Sequence, residues 1–218
     1  MHNIERYLIF YYISEFGVFR QFDGSTWLDT NTGEITTELY NTGNSGKATG
    51  GNDYSPTGYI VRKMMGLGNW NVGGRTLMLL RLANIYMDYI EALNETQPED
   101  PDILKYLNLI RDRAGIPLYG TADLPLPANQ DDMRTAIRKE RRVELAFENV
   151  RFFDVRRWKI AEQTDNGPIY GLNINANLPD FLNVVPFETR VFNKRHYFFP
   201  IPQQDVDTDK KLVQNLGW

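Results

Sequence analysis

The most constraining feature of this chain is a break. Leu77–Asn94 (LMLLRLANIYMDYIEALN) contains neither glycine nor proline, and Pro98-Glu99-Asp100-Pro101 ends it. Its apolar positions Leu79, Leu82, Ala83, Tyr86, Tyr89, Ile90 and Leu93 follow the three-and-four spacing of one helix face. After the break, Asp102–Ala114 carries Ile103, Leu107, Ile110 and Ala114 on one face, and Gly115 with Pro117 supplies a stop. Two helices joined by a short proline-containing turn predict an antiparallel hairpin like a single tetratricopeptide unit. No second copy at that repeat's period is visible.

Around the hairpin the chain divides into three parts. Residues 1–75 are loop-rich, 76–164 form a helical core, and 165–218 read as a wrapping tail. In the first part, Asn31 to Asp53 is dense in Thr, Gly and Asn, which marks turns and long loops. A short strand is expected at Thr57–Lys63, then a Gly/Asn segment from Gly66 to Gly74. Met1–Ile13 has an apolar patch flanked by Glu5 and Glu15, and reads as a strand or core helix rather than a signal peptide. Downstream of the hairpin, Asp131 or Asp132 is expected to cap a third helix, Met133 to about Asn149. A shorter helix is expected over Phe152–Thr164 and a β segment over Arg195–Phe199, with at most one helical turn in the tail. The fold class is therefore mainly α, with long loops and a few short strands.

Composition removes several functions. With 28 acidic against 24 basic side chains the net charge is −4, so no global basic field draws nucleic acid or an anionic membrane. Cysteine is absent, which excludes disulfides, thiolate metal sites and a cysteine nucleophile within this chain. The two histidines, His2 and His196, stand far apart, so zinc chemistry loses support. No P-loop and no Gly-x-Ser-x-Gly elbow occurs. Asp205, Asp207 and Asp209 alternate as in a calcium loop but lack its glycine and its final glutamate, and read as a solvated acidic turn. No cofactor and no metal are expected.

The richest segment is Ile137–Trp158 (IRKERRVELAFENVRFFDVRRW). Glu140 and Glu144 are one helical turn apart and repel each other unless cations intervene. Arg141, Arg142, Arg151, Arg156 and Arg157 are the local candidates, and Asp154 adds a further acid. Planar guanidinium groups suit a carboxylate network interleaved with Leu145, Phe147, Phe152, Phe153 and Trp158. Two sharper readings compete: acid/base work on a glycoside by a pair such as Asp131/Glu140 or Glu140/Glu144, and anion binding by the nine Arg and Lys of 134–159. Neighbouring arginines lower carboxyl pKa values, which opposes a proton donor near neutrality, and the acids among the arginines oppose nucleic acid. A structural ion-pair network is the preferred reading.

Aromatic residues supply the other candidates. Trp27, Tyr54, Tyr59 and Trp70 lie in or beside the Gly/Asn/Thr-rich loops. A sugar ring stacks its C–H face on such rings, while Asn52, Asp53, Asn69 and Asn71 offer partners for hydroxyls. The alternative, that these rings plug the loops onto the core, stays open here.

Four segments carry a resemblance. Arg81-Leu82-Ala83-Asn84-Ile85-Tyr86 with Glu91-Ala92-Leu93-Asn94-Glu95, then Arg111-Asp112-Arg113-Ala114-Gly115, resemble two helix signatures of the SusD/RagB family. Glu140-Arg141-Arg142 with Glu144-Leu145-Ala146-Phe147-Glu148, Arg151, Asp154 and Arg156-Arg157-Trp158 is similar to its central block. Tyr197, Pro200-Ile201-Pro202 and Gln214-Asn215-Leu216-Gly217-Trp218 look like its terminus. Asn84, Asn149 and Leu216 depart from the usual Glu, Gly and Pro. The resemblance covers about Thr57–Trp218 and implies the C-terminal portion of a longer outer-membrane lipoprotein of Bacteroidetes. It also implies non-catalytic capture of an oligo- or polysaccharide and delivery to a SusC-type TonB-dependent transporter. Ligand residues do not transfer by motif, so Trp27, Tyr54, Trp70, Asn52, Asp53 and Asn71 rest on their own chemistry.

Overall fold

The computed structural model describes residues 18–20, 36–61, 63 and 79–218. Trp27, Trp70, Asn69, Asn71, the segment Met1–Ile13 and the start of the expected first helix lie outside the described residues. In chain order the elements are β1 (Val18–Arg20), β2 (Thr36–Glu38), α1 (Leu82–Thr96), α2 (Pro101–Arg113), α3 (Gln130–Glu144), α4 (Val150–Arg157), α5 (Ala161–Thr164), β3 (Gly167–Leu172), β4 (Val184–Arg190) and α6 (Gln203–Thr208). Helices dominate, and two antiparallel two-stranded sheets, β1–β2 and β3–β4, accompany them.

The hairpin forms as its sequence dictates. The Asp100 side chain accepts a bond from the Asp102 amide at 2.9 Å, and Pro101 opens α2 where a missing N–H costs nothing. At the far end Gly115 adopts φ +67°. Its amide bonds Asp112 O, and the Ile116 amide reaches back to Arg111 O. That pair of bonds is the Schellman stop a C-terminal glycine permits. Met87, Ile90 and Leu93 of α1, Ile103, Leu107 and Ile110 of α2, and Ile137 of α3 make one buried cluster.

The core face of α1 differs from the expected one. Buried positions are Ala83, Asn84, Met87, Ile90, Leu93 and Asn94, whereas Leu79, Leu82 and Tyr89 are exposed. The helix begins at Leu82, because Asn84 turns its Oδ1 back to the Arg81 amide at 3.2 Å and fixes the N-terminus there. Asn84 thus serves as a cap where the family has an acid.

α3 is capped by Asn129, whose Oδ1 accepts from the Asp132 amide at 2.9 Å; Asp131 and Asp132 sit in the first turn instead. It ends at Glu144, short of the expected Asn149. Phe147 and Asn149 take left-handed φ of 63° and 62°, conformations that asparagine tolerates better than most residues and that glycine takes freely. The expected helix over Phe152–Thr164 is two pieces, α4 and α5, broken at Lys159 with φ 56°.

Three corrections concern β structure. Residues 167–190, read as loop, form the β3–β4 hairpin, with a register shift between Ile169 and Tyr170. Pro168 and Pro186 hid it; a two-stranded sheet has only edges, and there proline is tolerated. The segment expected as a strand at Thr57–Lys63 is irregular in its described residues, but its Thr57 O accepts from the Leu172 amide at 2.9 Å. Arg195–Phe199, expected as β, contains instead a 3-10 turn over Lys194–Tyr197, clipped by the Asn193 amide bonding His196 Nδ1 at 3.0 Å. Asp205 and Asp207 lie in α6, so the alternating acids are helical.

The C-terminal residues fasten the irregular segment 198–202, whose Pro200 and Pro202 leave it few amides to offer. Gln214 both accepts from the Ile201 amide and donates to Ile201 O, each at 2.9 Å. Asn215 Nδ2 donates to Phe199 O at 2.7 Å, and Trp218 Nε1 donates to Arg195 O at 3.0 Å. Leu216, standing in place of proline, is exposed.

Candidate functional site

Residues 39–61 build a loop platform on the β3–β4 hairpin. Leu39, Leu172 and Phe181 form a buried cluster beneath it, with Tyr40, Tyr59 and Ile60 packed against them. Tyr59 is therefore a plug. Above this cluster the loop is tied by side chains. Thr42 donates both its amide and its hydroxyl to Asn177 Oδ1 at 3.0 Å, and Lys47 Nζ donates to Asn175 Oδ1 at 2.6 Å. The Asn41 amide adds a bond to Ala176 O at 3.0 Å. Gly58, at φ +73°, brings the backbone so close to Leu172 that an added Cβ would lie 2.8 Å from that residue's Cβ.

At the outer end of this loop stand three of the predicted ligand residues. Asn52 and Asp53 are exposed, and Tyr54 is half-buried. The Asp53 amide bonds Gly50 O at 2.9 Å, which closes the turn before the aromatic ring. The structure thus gathers a phenol ring, a carboxamide and a carboxylate on one exposed bend, groups able to stack on a sugar ring and bond its hydroxyls.

The Glu140–Glu144 region is built differently from the local scheme. Glu140 is held by Arg111 of α2, and Tyr119 Oη donates to it at 3.4 Å. Both carboxylate oxygens of Glu144 accept from Arg113 Nη2, at 2.6 and 2.7 Å, and one accepts a further bond from Arg81. Arg81 also grips Glu148 through Nε at 2.9 and 3.0 Å, and Lys63 Nζ reaches Glu148 at 2.6 Å. Cations from the hairpin, not from α3 and α4, relieve the repulsion between Glu140 and Glu144.

The arginines expected to do so have other work. Arg141 donates to Asp154 at 2.7 Å and to Asp88 at 2.6 Å. Arg157 bonds Asp154 at 2.9 Å and pairs with Glu91, which also accepts from Trp158 Nε1 at 2.7 Å. Arg156 lies over the Phe152 ring at 3.4 Å, Arg151 over Trp158 at 6.0 Å, and Arg142 is exposed. The partners missed from spacing alone, Arg81, Arg111, Arg113 and Glu91, all sit within the motif blocks that carry the family resemblance. Lys63, Asp88 and Glu148 complete the set.

The electrostatics correct one expectation. Burial pushes the Glu140 carboxyl above its ordinary value despite Arg111. Burial, with the nearby Glu140 charge, also raises the Tyr119 phenol to about 12. Glu148 and Glu91 go the other way: burial alone would raise them, but donated bonds from Arg81 and Lys63, and from Arg157 and Trp158, hold them below the usual range. Glu140 and Glu144 are both buried and both enclosed by guanidinium groups, whereas Asp131 is 84% exposed and paired with Arg134. Neither proposed carboxylate pair offers two acids facing one accessible cleft.

A helical-hairpin scaffold locked by interhelical ion pairs and carrying an asparagine-fastened loop platform defines the architecture. Residues 19–218 match the SusD family, and the chain belongs to it. It is 28% identical over 138 residues to SusD-like protein P2 of Formosa agariphila, an alignment covering 62% of this chain and 24% of that protein. A SusD-like protein from Bacteroides fragilis superposes with a TM-score of 0.70 at 30% identity, over 90% of this chain and 37% of the other. A SusD superfamily protein from Bacteroides vulgatus shares the fold over 100% of this chain and 43% of its own, with a TM-score of 0.53 at 17% identity. The chain thus spans about a quarter of the curated relative and little more than a third of the Bacteroides fragilis structure.

Proposed function

We propose that this chain is the glycan-capturing C-terminal portion of an outward-facing outer-membrane lipoprotein that makes and breaks no bond. It holds an oligo- or polysaccharide by stacking and hydrogen bonding and hands it to a SusC-type TonB-dependent transporter. The observation that carries the reading is the bend of exposed Asn52 and Asp53 beside half-buried Tyr54, on a loop fastened to the β3–β4 connection in a chain of the SusD family. Trp27, Trp70 and Asn71 complete the proposed ligand set. One aromatic platform with a few hydrogen bonds supports micromolar to millimolar binding, about 4–8 kcal/mol. Affinity electrophoresis against a panel of neutral and acidic polysaccharides tests it, with Tyr54→Ala, Trp27→Ala and Trp70→Ala alongside. Retardation by at least one glycan, reduced by these substitutions with unchanged circular dichroism, is expected. A folded chain that binds no glycan refutes the reading.

A second reading has its own support. Leu82, Ile85 and Tyr89 recur along the outer side of α1 and are exposed, as is Leu109 of α2. A helix apolar on two sides suits a position between neighbours. In this reading the hairpin packs on another part of a longer protein or on the transporter, and it operates together with glycan capture.

A further inference from the structure

An acidic chain collects unpaired cations at one cavity. Where the end of α4, the start of α5, the Lys194–Tyr197 turn and the C-terminal residues meet, they enclose about 700 Å³ lined by Arg156, Arg157, Lys159, Lys194 and Arg195, with Glu162 as the one acid among its lining residues. That volume lies in the range of small-ligand sites, roughly 300–1,000 Å³. Arg157 is committed to Glu91 and Asp154. Arg156 lies on Phe152 and donates to Phe152 O, and Arg195 lies over the Trp218 ring at 4.8 Å. Among the described residues, none of Arg156, Lys159, Lys194 and Arg195 has a carboxylate partner. The chain as a whole carries −4, so this concentration of positive charge runs against the average surface.

Lys159 adds a second argument. α4 ends in a Schellman motif: the Lys159 amide bonds Arg156 O at 3.0 Å and the Ile160 amide bonds Val155 O at 2.9 Å. The residue between them must take a left-handed conformation, here φ 56°, which glycine adopts without penalty and lysine does not. Lys159 thus carries a local conformational cost on the wall of a cation-lined cavity, as residues at ligand sites often do. Tyr197 also lines the cavity, and its hydroxyl is buried without a hydrogen-bond partner among the described residues. Phe198 and Leu216 give the same cavity apolar, exposed surface.

We propose that this cavity binds an acidic sugar residue, one bearing a carboxylate or sulfate group, with Lys159, Lys194 and Arg195 at the anion and Phe198 and Tyr197 beside the ring. It shares no lining residue with the Asn52–Tyr54 bend and would act as a second, charge-selective carbohydrate site. The inference rests on the glycan-binding reading above. A free anion would need the cations but not the apolar wall, and a neutral sugar would need the wall but not the cations.

The 218-residue chain is titrated calorimetrically with tetragalacturonate, with a sulfated galactose tetrasaccharide, with maltotetraose and with a glutamate-rich peptide. Lys159→Gly, Lys194→Gln and Tyr197→Phe variants are run beside it, with Lys105→Gln as a remote charge control. Lys159→Gly removes the charge while relaxing the backbone, so its thermal midpoint stays level or rises. Each lysine variant is expected to weaken the acidic tetrasaccharide about tenfold, with Lys105→Gln unchanged, as expected for loss of one charge-assisted bond. The galacturonate and sulfate arms tell which acid group is preferred. Binding of acidic tetrasaccharides that ignores Lys159→Gly and Lys194→Gln overturns the proposal, and so does binding of neutral maltotetraose alone; both leave the glycan-binding reading standing. A glutamate-rich peptide that binds as tightly and responds to the same variants also overturns it, making the cavity a seat for acidic polypeptide. Failure of every saccharide here overturns the cavity proposal, and failure of the whole polysaccharide panel as well, in a chain whose circular dichroism shows it folded, overturns both.

Discussion

Replacing Arg141 by methionine keeps much of the side chain's length and removes its charge from the middle of the ion-pair network. The Arg141 side chain is 6% exposed and that of its partner Asp154 is 4% exposed. Removing one member of so buried a pair costs about 3–5 kcal/mol, because the other charge stays desolvated. Two details place the expected loss at the lower end. Asp154 keeps Arg157, at 2.9 Å, but that arginine is 43% exposed, and a solvated partner returns at most about 1 kcal/mol. Asp88, the other acid on Arg141, is 60% exposed and returns to water at little cost. The expectation is a loss of about 3 kcal/mol, read in urea as a midpoint lowered by roughly 1–2 M for ordinary slopes. Arg134→Met serves as the reference, since Arg134 pairs with the more exposed Glu95 and Asp131 and is expected to cost no more than about 1 kcal/mol. The paired substitution Arg141→Met with Asp154→Leu is expected to recover most of the loss, as apolar replacements of buried pairs commonly do. An Arg141→Met midpoint indistinguishable from that of Arg134→Met refutes the idea that the network fastens the helices.

The ion pairs and the core beneath the loop carry two further expectations. Glu91 and Glu148 have carboxyl groups held below the unfolded value, so their stabilisation is present at neutral pH and is lost as pH falls below the ordinary carboxylate range; Glu140, raised by burial, contributes in the opposite sense. The thermal midpoint is expected to fall as pH drops below about 4.5, less steeply in Glu148→Gln, and a midpoint that is flat or rising below that pH contradicts the assignment. Phe181, fully buried under the loop platform, is expected to cost about 3–5 kcal/mol when changed to alanine. Hydrogen exchange at the Asn41 and Ala48 amides should speed up with it, and unchanged exchange there would show that the platform does not depend on that ring.

The helices were legible because their signals are local. Pro101 and Gly115 bracket α2 as first-turn proline and C-terminal glycine, and Met87, Ile90 and Leu93 continue one face. Boundaries shifted where side chains intervened: Asn84 began α1 late, and Phe147 with Asn149 ended α3 early. The β3–β4 hairpin was illegible because Pro168, Gly171 and Pro186 interrupt any alternation, and because β4 is largely exposed and lacks an apolar face to recognise. The presence of an ion-pair network could be read from the spacing of Glu140 and Glu144, but not its wiring. Spacing along one helix reports only neighbours on that helix, whereas Arg81, Arg111 and Arg113 arrive from other segments. The Asn52–Tyr54 bend was legible as chemistry, and its fastening to Asn175 and Asn177 was not, since those residues lie more than a hundred positions away.

That fastening has a consequence for how such a chain can change what it recognises. The loop from Asn41 to Tyr54 is secured at Thr42 and Lys47 by amide side chains of another segment, and Phe181 and Leu172 support its root. Among the described residues, Asn52, Asp53 and Tyr54 share no bond with the arginine–carboxylate lattice of the helices. On the proposed reading of the bend as the ligand site, it can be rewritten residue by residue, or exchanged whole between relatives at Thr42 and Thr57, while the scaffold keeps its fold: it would behave as a cartridge, and specificity could drift without stability having to follow.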